Sequence, residues 1–397
     1  MQRNETRVNA EPGGGSLRVI LAGGGTGGHL FPGVAIAEEI LRRKPNASIM
    51  FVLAGRETER QILARYPAFR QTVIASPRSS TSPADKMLML PSLAVAVLRA
   101  RGLLRRFDPH ITIGLGGYAS VPVVWAAGSA RPVFLIEQNA VPGRATRMLF
   151  RKSRRVFTQF DRTGELLPPW APCVKAGTPL RRELLAGERP SALEHFRMSG
   201  GKRTILVLGG SQGARGVNEI VAEILPRLAR RRGEIQIIHQ TGDRDFGTMR
   251  GIYERTRIGS CVSRLIERMD LAYAVADVVL CRAGATTIAE LTAVGLPSIL
   301  VPYPYSLDNE QKENARQLAA RGAAFMVEQS PDAARQAHEH VMRLLDDRAF
   351  AEEMCAQALS MGHPDATETI VSDILKTAGT EERKASLRMH AGGILAK

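Results

Sequence analysis

The chain has 397 residues, 44% hydrophobic and 23% charged, with 37 Gly and 22 Pro. That is an ordinary globular composition, long enough for two or three domains, and it excludes collagen, a disulfide-stapled miniprotein and a wholly disordered chain. Subtracting 39 Asp and Glu from 54 Lys and Arg leaves a formal charge of +15, which suits an anionic partner. Only 5% of residues are aromatic, too few for a stacking platform on single-stranded nucleic acid, so no nucleic-acid partner is expected.

Residues 1–16 lack an apolar core, so they read as a disordered tail and not as a signal peptide. No apolar run approaches the ~20 residues that span a bilayer. LRVILA (17–22) is a continuous strand-like run, followed by a glycine loop and a helical pattern from about Phe31 to Arg43. SIMFVLA (48–54), ITIGL (111–115) and PVFLIE (132–137) read as further strands. The pattern restarts at RTILVL (203–208) and continues through IQIIHQ (235–240), DVVLC (277–281) and PSILVP (297–302). Near-continuous apolar strands separated by helices predict parallel sheets covered on both faces. The fold class is therefore α/β, with two Rossmann-like, doubly wound domains over 17–176 and 177–376 facing a cleft. The Pro-rich, charged stretch 167–190 carries the linker, and 377–397 reads as a basic, disordered tail. Cys173, Cys261, Cys281 and Cys355 are widely spaced, which predicts reduced thiols and no zinc site.

In open parallel sheets ligands sit beyond the carboxyl ends of the strands, and the unusual residues fall there. AGGGTGGH (22–29) lets backbone N–H groups approach an oxygen-rich ligand at a helix N-terminus, although a tight turn uses the same glycines. Its literal G-x-G-x-x-G lacks the acid expected about 20 residues on; Arg56 at the next strand end keeps an NADP reading open. His29 closes this loop, and imidazole titrates where a general base must, although lone histidines are usually packing or surface residues. GGSQGARGVN (209–218) is a second strand-to-helix turn able to hold phosphate, without the Lys-Ser/Thr pair of an ATPase loop. In CRAGATTIAE (281–290), small residues and hydroxyls open a helix; Glu290 suits a vicinal diol or serves only the helix dipole. Arg181 stands at the interdomain hinge, Asn139 follows a strand in EQN, and Asp243-Arg244-Asp245 reads as a solvated loop rather than a metal motif. The stretch 86–106 carries Met87, Leu88, Leu90, Leu93 and Val97 with Arg99, Arg101, Arg105 and Arg106, and fits either an anionic phospholipid surface or a core helix with a basic outer face.

GGTGGHLFPGVAIAEE, GLGGYASVP, EQN, G-x-P-x-R, GGSQGA, HQTG, CRAGATTIAELTAVGLPSILVP and D-x-x-Q-x-x-N-A (308–315) occur in one order from about Leu17 to Lys376. In that order they resemble the MurG family, the bacterial lipid-linked N-acetylglucosaminyltransferases of peptidoglycan synthesis. The resemblance implies a GT-B fold whose C-terminal domain holds UDP-GlcNAc and whose N-terminal domain holds the lipid acceptor. It implies inverting transfer of GlcNAc to the 4-hydroxyl of MurNAc in undecaprenyl-pyrophosphoryl-MurNAc-pentapeptide, with no metal and no cofactor. The enzyme would be peripheral, at the cytoplasmic face of the bacterial inner membrane. Carried across, Thr26, Gly27 and Gly28 line the donor and acceptor-pyrophosphate region, and Asn139 meets the donor sugar. Arg181 and Ser211 contact the UDP part, and Ile266 offers its backbone to uracil. Ala285, Thr286 and Thr287 lie along phosphate and sugar, Glu290 takes the ribose hydroxyls, Gln311 the GlcNAc hydroxyls, and His29 is the base. Val121, Thr178 and Ala283 depart from common family residues, and Tyr303–Leu307 is about one residue longer than in some relatives. Alternatives are another lipid-directed UDP-sugar transferase of this fold, an NADP-dependent oxidoreductase, or a basic membrane or nucleic-acid module.

Overall fold

The computed structural model describes residues 16–24, 27–74, 83–128, 131–210 and 213–379, with only the backbone of 83–90. Thr26, Ser211 and the side chains of Met87, Leu88 and Leu90 therefore lie outside the described residues, as do 1–15 and 380–397 of the two expected tails.

The first sheet comprises β1 (Arg18–Ala22), β2 (Ser48–Leu53), β3 (Arg70–Val73), β4 (Ile111–Gly114), β5 (Val133–Glu137), β6 (Arg155–Thr158) and β7 (Cys173–Lys175). The second comprises β8 (Arg203–Leu208), β9 (Ile235–Gln240), β10 (Gly259–Ser263), β11 (Val278–Cys281), β12 (Ser298–Leu300) and β13 (Phe325–Met326). Their orders are β3-β2-β1-β4-β5-β6-β7 and β10-β9-β8-β11-β12-β13. Every pairing is parallel. Each chain path leaves its first strand in one direction, returns and continues in the other, so the order reverses between β1 and β4 and between β8 and β11. A crevice opens at such reversals.

Burial follows from this topology. Strands covered on both faces need apolar side chains throughout, and β1, β2, β5, β8 and β9 are buried almost end to end. Separate apolar clusters lie on the two faces of each sheet. β7 falls inside the stretch expected to be linker, so the crossing between the sheets is confined to the residues after Lys175.

The closing segment corrects the domain boundary read from sequence. A helix over 366–379 buries Ile370, Val371, Ile374 and Ala378 in the core of the first sheet, against Val19, Ile36 and Ile40. Residues 366–376 thus return to the first domain, and 377–379 are helical where a tail was expected. The return anchors the hinge: Thr367 Oγ1 accepts from Leu180 N–H at 2.9 Å and donates to Leu180 O at 2.7 Å. Gly177, at φ +82°, packs against His363, where any Cβ would clash at 2.3 Å.

The long helix Pro83–Phe107 continues through Pro91. Ala96, Ala100, Leu104 and Phe107 face the core at helical spacing. Leu93 and Val97, expected on a membrane face, are half-buried, with Leu93 packed on the core; among the described residues of this helix the large exposed apolar side chains are Val95 and Leu98. Among the described residues no helix is long and apolar enough to cross a membrane.

Because Ile374 is fully buried in the first domain's core, Ile374→Ala should cost about 2–5 kcal/mol. Urea unfolding should show the loss in the first domain's transition, although residue 374 follows the second sheet in sequence.

Candidate active-site cleft

The first wall is built by loops after β1 and β4. Residues after β1 turn at Gly23 and Gly24 and enter helix Gly27–Arg43, four residues earlier than the sequence pattern suggested. Two glycine motifs pack backbone on backbone here: a Cβ on Gly23 would lie 2.6 Å from Leu115 Cβ, and one on Gly117, at φ +71°, 2.6 Å from Gly24 O. The glycines are therefore required by close approach as well as by any ligand. Glu59 lies buried against Gly24 and accepts from Gly55 and Arg56 N–H, both at 2.9 Å. A carboxylate there opposes the extra phosphate of NADP.

His29 lies in the first turn of that helix. Its Nδ1 is sealed from solvent, has no hydrogen-bond partner among the described residues, and would lie 3.2 Å from a Cβ on Gly116. Burial lowers its pKa below 6.5, against the opposing attraction of the Glu137 carboxylate. The neutral imidazole that results near pH 7 is the proton-accepting form. Gln138, nearly fully buried beside this site, also has an unpartnered Nε2.

The second wall is built by loops after β8 and β11. Helix Ala285–Val294 starts directly after Gly284, with its unpaired N–H groups at the cleft. Thr286 Oγ1 donates to Gly28 O at 2.8 Å, joining the two walls. Thr287 is half-buried and Ala285 buried beside it. Glu290, further along the helix, accepts from the Tyr273 hydroxyl at 2.7 Å. Ile266 N–H is taken by Gln240 Oε1 at 2.8 Å, which leaves the carbonyl as its remaining backbone group. Gln311 Oε1 accepts from Tyr303 N–H at 3.0 Å.

Arg181 stands between the walls. Its guanidinium lies 4.8 Å over the Phe31 ring and pairs with Glu183 at 2.5 Å. It is also close enough to Glu290 to draw that carboxyl's pKa down against the upward push of burial.

Asn139 is committed to a contact between the domains. Its Oδ1 accepts from Asn314 Nδ2 at 3.0 Å, while Asn314 Oδ1 accepts from Ala140 N–H at 2.8 Å. Asn314 belongs to the D-x-x-Q-x-x-N-A motif but was not singled out as a site residue, because an asparagine inside a helix gives no sequence sign of reaching another domain. Glu310, the neighbour of Gln311 in that motif, lies one helical turn away. Burial, Glu137 and Asp308 together push its carboxyl up to about 7.

Asp243 is an exposed partner of Arg264 at 3.3 Å, and Asp245 accepts from Asn218 at 2.7 Å. Among the described residues no group of three or more His, Cys, Asp or Glu is placed to hold a metal.

The Asn314 contacts generate a test. Asn314→Ala leaves the Ala140 N–H and the Asn139 carbonyl unpaired in a buried interface, at about 1–3 kcal/mol for each group. Small-angle scattering should show a larger radius of gyration for the variant, with each domain still folded by circular dichroism.

Comparison with known proteins places this geometry in a family. Residues 19–158 match the glycosyltransferase family 28 N-terminal domain, and 204–370 match its C-terminal domain. A "UDP-N-acetylglucosamine--N-acetylmuramyl-(pentapeptide) pyrophosphoryl-undecaprenol N-acetylglucosamine transferase" of Thermodesulfovibrio yellowstonii is 37% identical over 356 residues, 89% of this chain and 97% of that protein. The protein of the same name from Nitratidesulfovibrio vulgaris is 38% identical over 372 residues, 92% of this chain and 99% of that one. The crystal structure of Acinetobacter baumannii MurG superposes with a TM-score of 0.70 at 26% identity, covering 91% of this chain and 99% of that one. A UDP-GlcNAc 2-epimerase from Neisseria meningitidis, at 14% identity and a TM-score of 0.64 over 91% of this chain and 100% of that one, shares the fold alone. With both domains matched, and relatives above 30% identity aligned over nearly their whole length, the chain belongs to glycosyltransferase family 28 and, within it, to the MurG family.

Proposed function

We propose that the cleft transfers GlcNAc from UDP-GlcNAc to the 4-hydroxyl of MurNAc on undecaprenyl-pyrophosphoryl-MurNAc-pentapeptide, with inversion at the anomeric carbon. The observation that carries this reading is the Thr286–Gly28 contact. It sets the neutral His29 of the acceptor-side wall against the N-terminus of helix Ala285–Val294 on the donor-side wall.

In this reading His29 takes the proton of the acceptor hydroxyl as its oxygen attacks C1 of GlcNAc. The bond from C1 to the diphosphate oxygen breaks on the opposite face, and UDP leaves with the electron pair. Because Nδ1 is sealed, Nε2 is the nitrogen for this work. The negative charge growing on UDP is met by the helix N-terminus and by Arg181, which swings from Phe31 to the diphosphate. Glu290 takes the ribose, the Ile266 carbonyl the base, and Gln311 with Asn139 the transferred sugar. Thr26, Gly27, Gly28 and Ser211 supply backbone and hydroxyl donors to the phosphates, with Ala285 and Thr287 beside them. An NADP-dependent oxidoreductase leaves the second wall without a purpose and faces Glu59 in the first.

The test is UDP release from UDP-GlcNAc, with and without a soluble lipid-I analogue. Release should depend on the acceptor, and His29→Ala should lower it about 10²–10⁴-fold while UDP still binds. Full activity in that variant removes His29 as base.

The same reading places the enzyme peripherally on the inner face of the cell membrane, held by the first domain. Helix Ser120–Ala127 packs beside the long helix, and Arg144–Leu149 packs beside it in turn. On this side Trp125, Met148 and Trp170 are 42%, 47% and 60% exposed, sizeable apolar groups left in water near Val95 and Leu98 of the long helix. Lys152 lies 5.5 Å over the Trp125 ring and Arg151 5.1 Å over Trp170. Tryptophan beside basic residues suits the headgroup region of an anionic bilayer, and Arg99, Arg101, Arg105 and Arg106 extend the charge. Replacing Trp125 and Trp170 together with Ala should weaken sedimentation with anionic vesicles at least about tenfold, leaving UDP affinity in solution unchanged.

A further inference from the structure

Glu290 is the carboxylate this reading gives to ribose, and its surroundings hold a group that the reading does not use. Tyr273, on helix Met269–Val275, is buried in the second domain's core, with its hydroxyl 2.7 Å from Glu290 Oε2. Burial and the neighbouring Glu290 charge hold the Tyr273 pKa far above its ordinary value, so the phenol keeps its proton and donates it. Burial pushes the Glu290 carboxyl up, whereas the Tyr273 hydrogen bond and Arg181 pull it back toward the charged form. The Cys281 thiol beside them is pushed up to about 12 and stays neutral. Of these neighbours, the Tyr273 hydroxyl is the one with a hydrogen bond to the carboxylate.

A carboxylate has two oxygens and about four acceptor positions. To meet both hydroxyls of a vicinal diol at once, its plane must be held in one orientation. A group free to rotate about its last bond satisfies the two hydroxyls only part of the time. The bond from Tyr273 uses one position on Oε2 and fixes the plane, leaving the other positions to a ligand.

We propose that Tyr273 is a positioning residue for ribose recognition: its hydroxyl orients Glu290 and so gives the cleft its preference for a ribonucleotide over a 2′-deoxyribonucleotide. This rests on the reading that the cleft takes uridine diphosphate. A site built to hydrogen-bond a hydroxyl discriminates strongly against the analogue lacking it, because its own polar group is left unpaired.

The test is calorimetric titration of the full chain, wild type and Tyr273→Phe, with UDP and with 2′-deoxy-UDP. Wild type should favour UDP by about tenfold or more. Tyr273→Phe should weaken UDP about tenfold and the deoxy analogue only about twofold, so the preference collapses. In turnover, KM for UDP-GlcNAc should rise while kcat stays within about twofold. A folded Tyr273→Phe that keeps the wild-type ratio of affinities overturns the proposal. A second measurement does not depend on that variant folding: 3-fluorotyrosine placed at position 273 should shift its fluorine resonance on UDP binding, and less on binding 2′-deoxy-UDP. Equal shifts, or none with UDP bound, also overturn it. Wild-type protein that binds neither nucleotide overturns the reading of the cleft itself, whereas UDP binding with unaltered discrimination in Tyr273→Phe overturns the role of Tyr273 alone.

Discussion

Parallel strands all end on the same edge of their sheet, so every helix that follows a strand begins there with unpaired N–H groups. That constraint governs this molecule twice, because both sheets are parallel throughout and reverse their order beside their first strand. Facing the two edges brings Gly28, the residue before His29 at one reversal point, against Thr286 from the other. The backbone supplies unpaired N–H groups, and side chains then add an imidazole, a carboxylate and a guanidinium. Glycine is concentrated where the two loops of the first wall touch, since a side chain at Gly23 or Gly117 would push them apart.

The domains are joined by contacts of very unequal worth. Arg65–Glu267 and Arg144–Asp308 bridge the cleft rim but are largely exposed, and pairs of that kind contribute about 0–1 kcal/mol. The Asn314 amide is fully buried and bonds to Asn139, Ala140 and the Ala283 carbonyl. Breaking those bonds without water to replace them costs more than losing a surface ion pair, so this asparagine sets the relative position of the walls. Burial at this contact, with Glu137 and Asp308 nearby, pushes the Glu310 carboxyl up to about 7.

Much of the fold was legible because long apolar runs have one structural meaning between helices: β1, β2, β4, β5, β8, β9, β11 and β12 lie within a residue or two of their predicted places. The remaining strands are short or poor in apolar residues: β3 is RQTV and the five-residue β10 is GSCVS. β13 has two residues, β7 three, and β6 is an RVFT segment following three basic residues in five. The return of 366–379 to the first domain was not legible, since Ile370 and Ile374 announce an apolar helix face but not which sheet it meets. In the cleft, glycine loops and His29 stood out because their chemistry is unusual at strand ends. Tyr273 and Asn314 did not, because their partners, Glu290 and Asn139, lie far away in sequence. The exposed tryptophans gave no signal for the same reason: residues 125 and 170 converge only through the packing around Phe150–Lys152.

The two walls solve opposite electrostatic problems. In the first wall the Glu137 carboxylate favours the charged imidazolium of His29. Burial of the ring wins, and His29 is held low. Glu137 is also kept occupied: Asn139 N–H donates to its Oε1 at 3.0 Å, and Gly143 N–H and the Thr146 hydroxyl donate to its Oε2 at 2.8 and 2.6 Å. Those donors tie the carboxylate to its own loop. In the second wall burial alone would push the Glu290 carboxyl toward its neutral form. There the remedy is a donor, Tyr273, together with the field of Arg181. The same physical force, loss of water around an ionisable group, thus prepares His29 and has to be countered at Glu290, and the residue types packed around each follow from that difference.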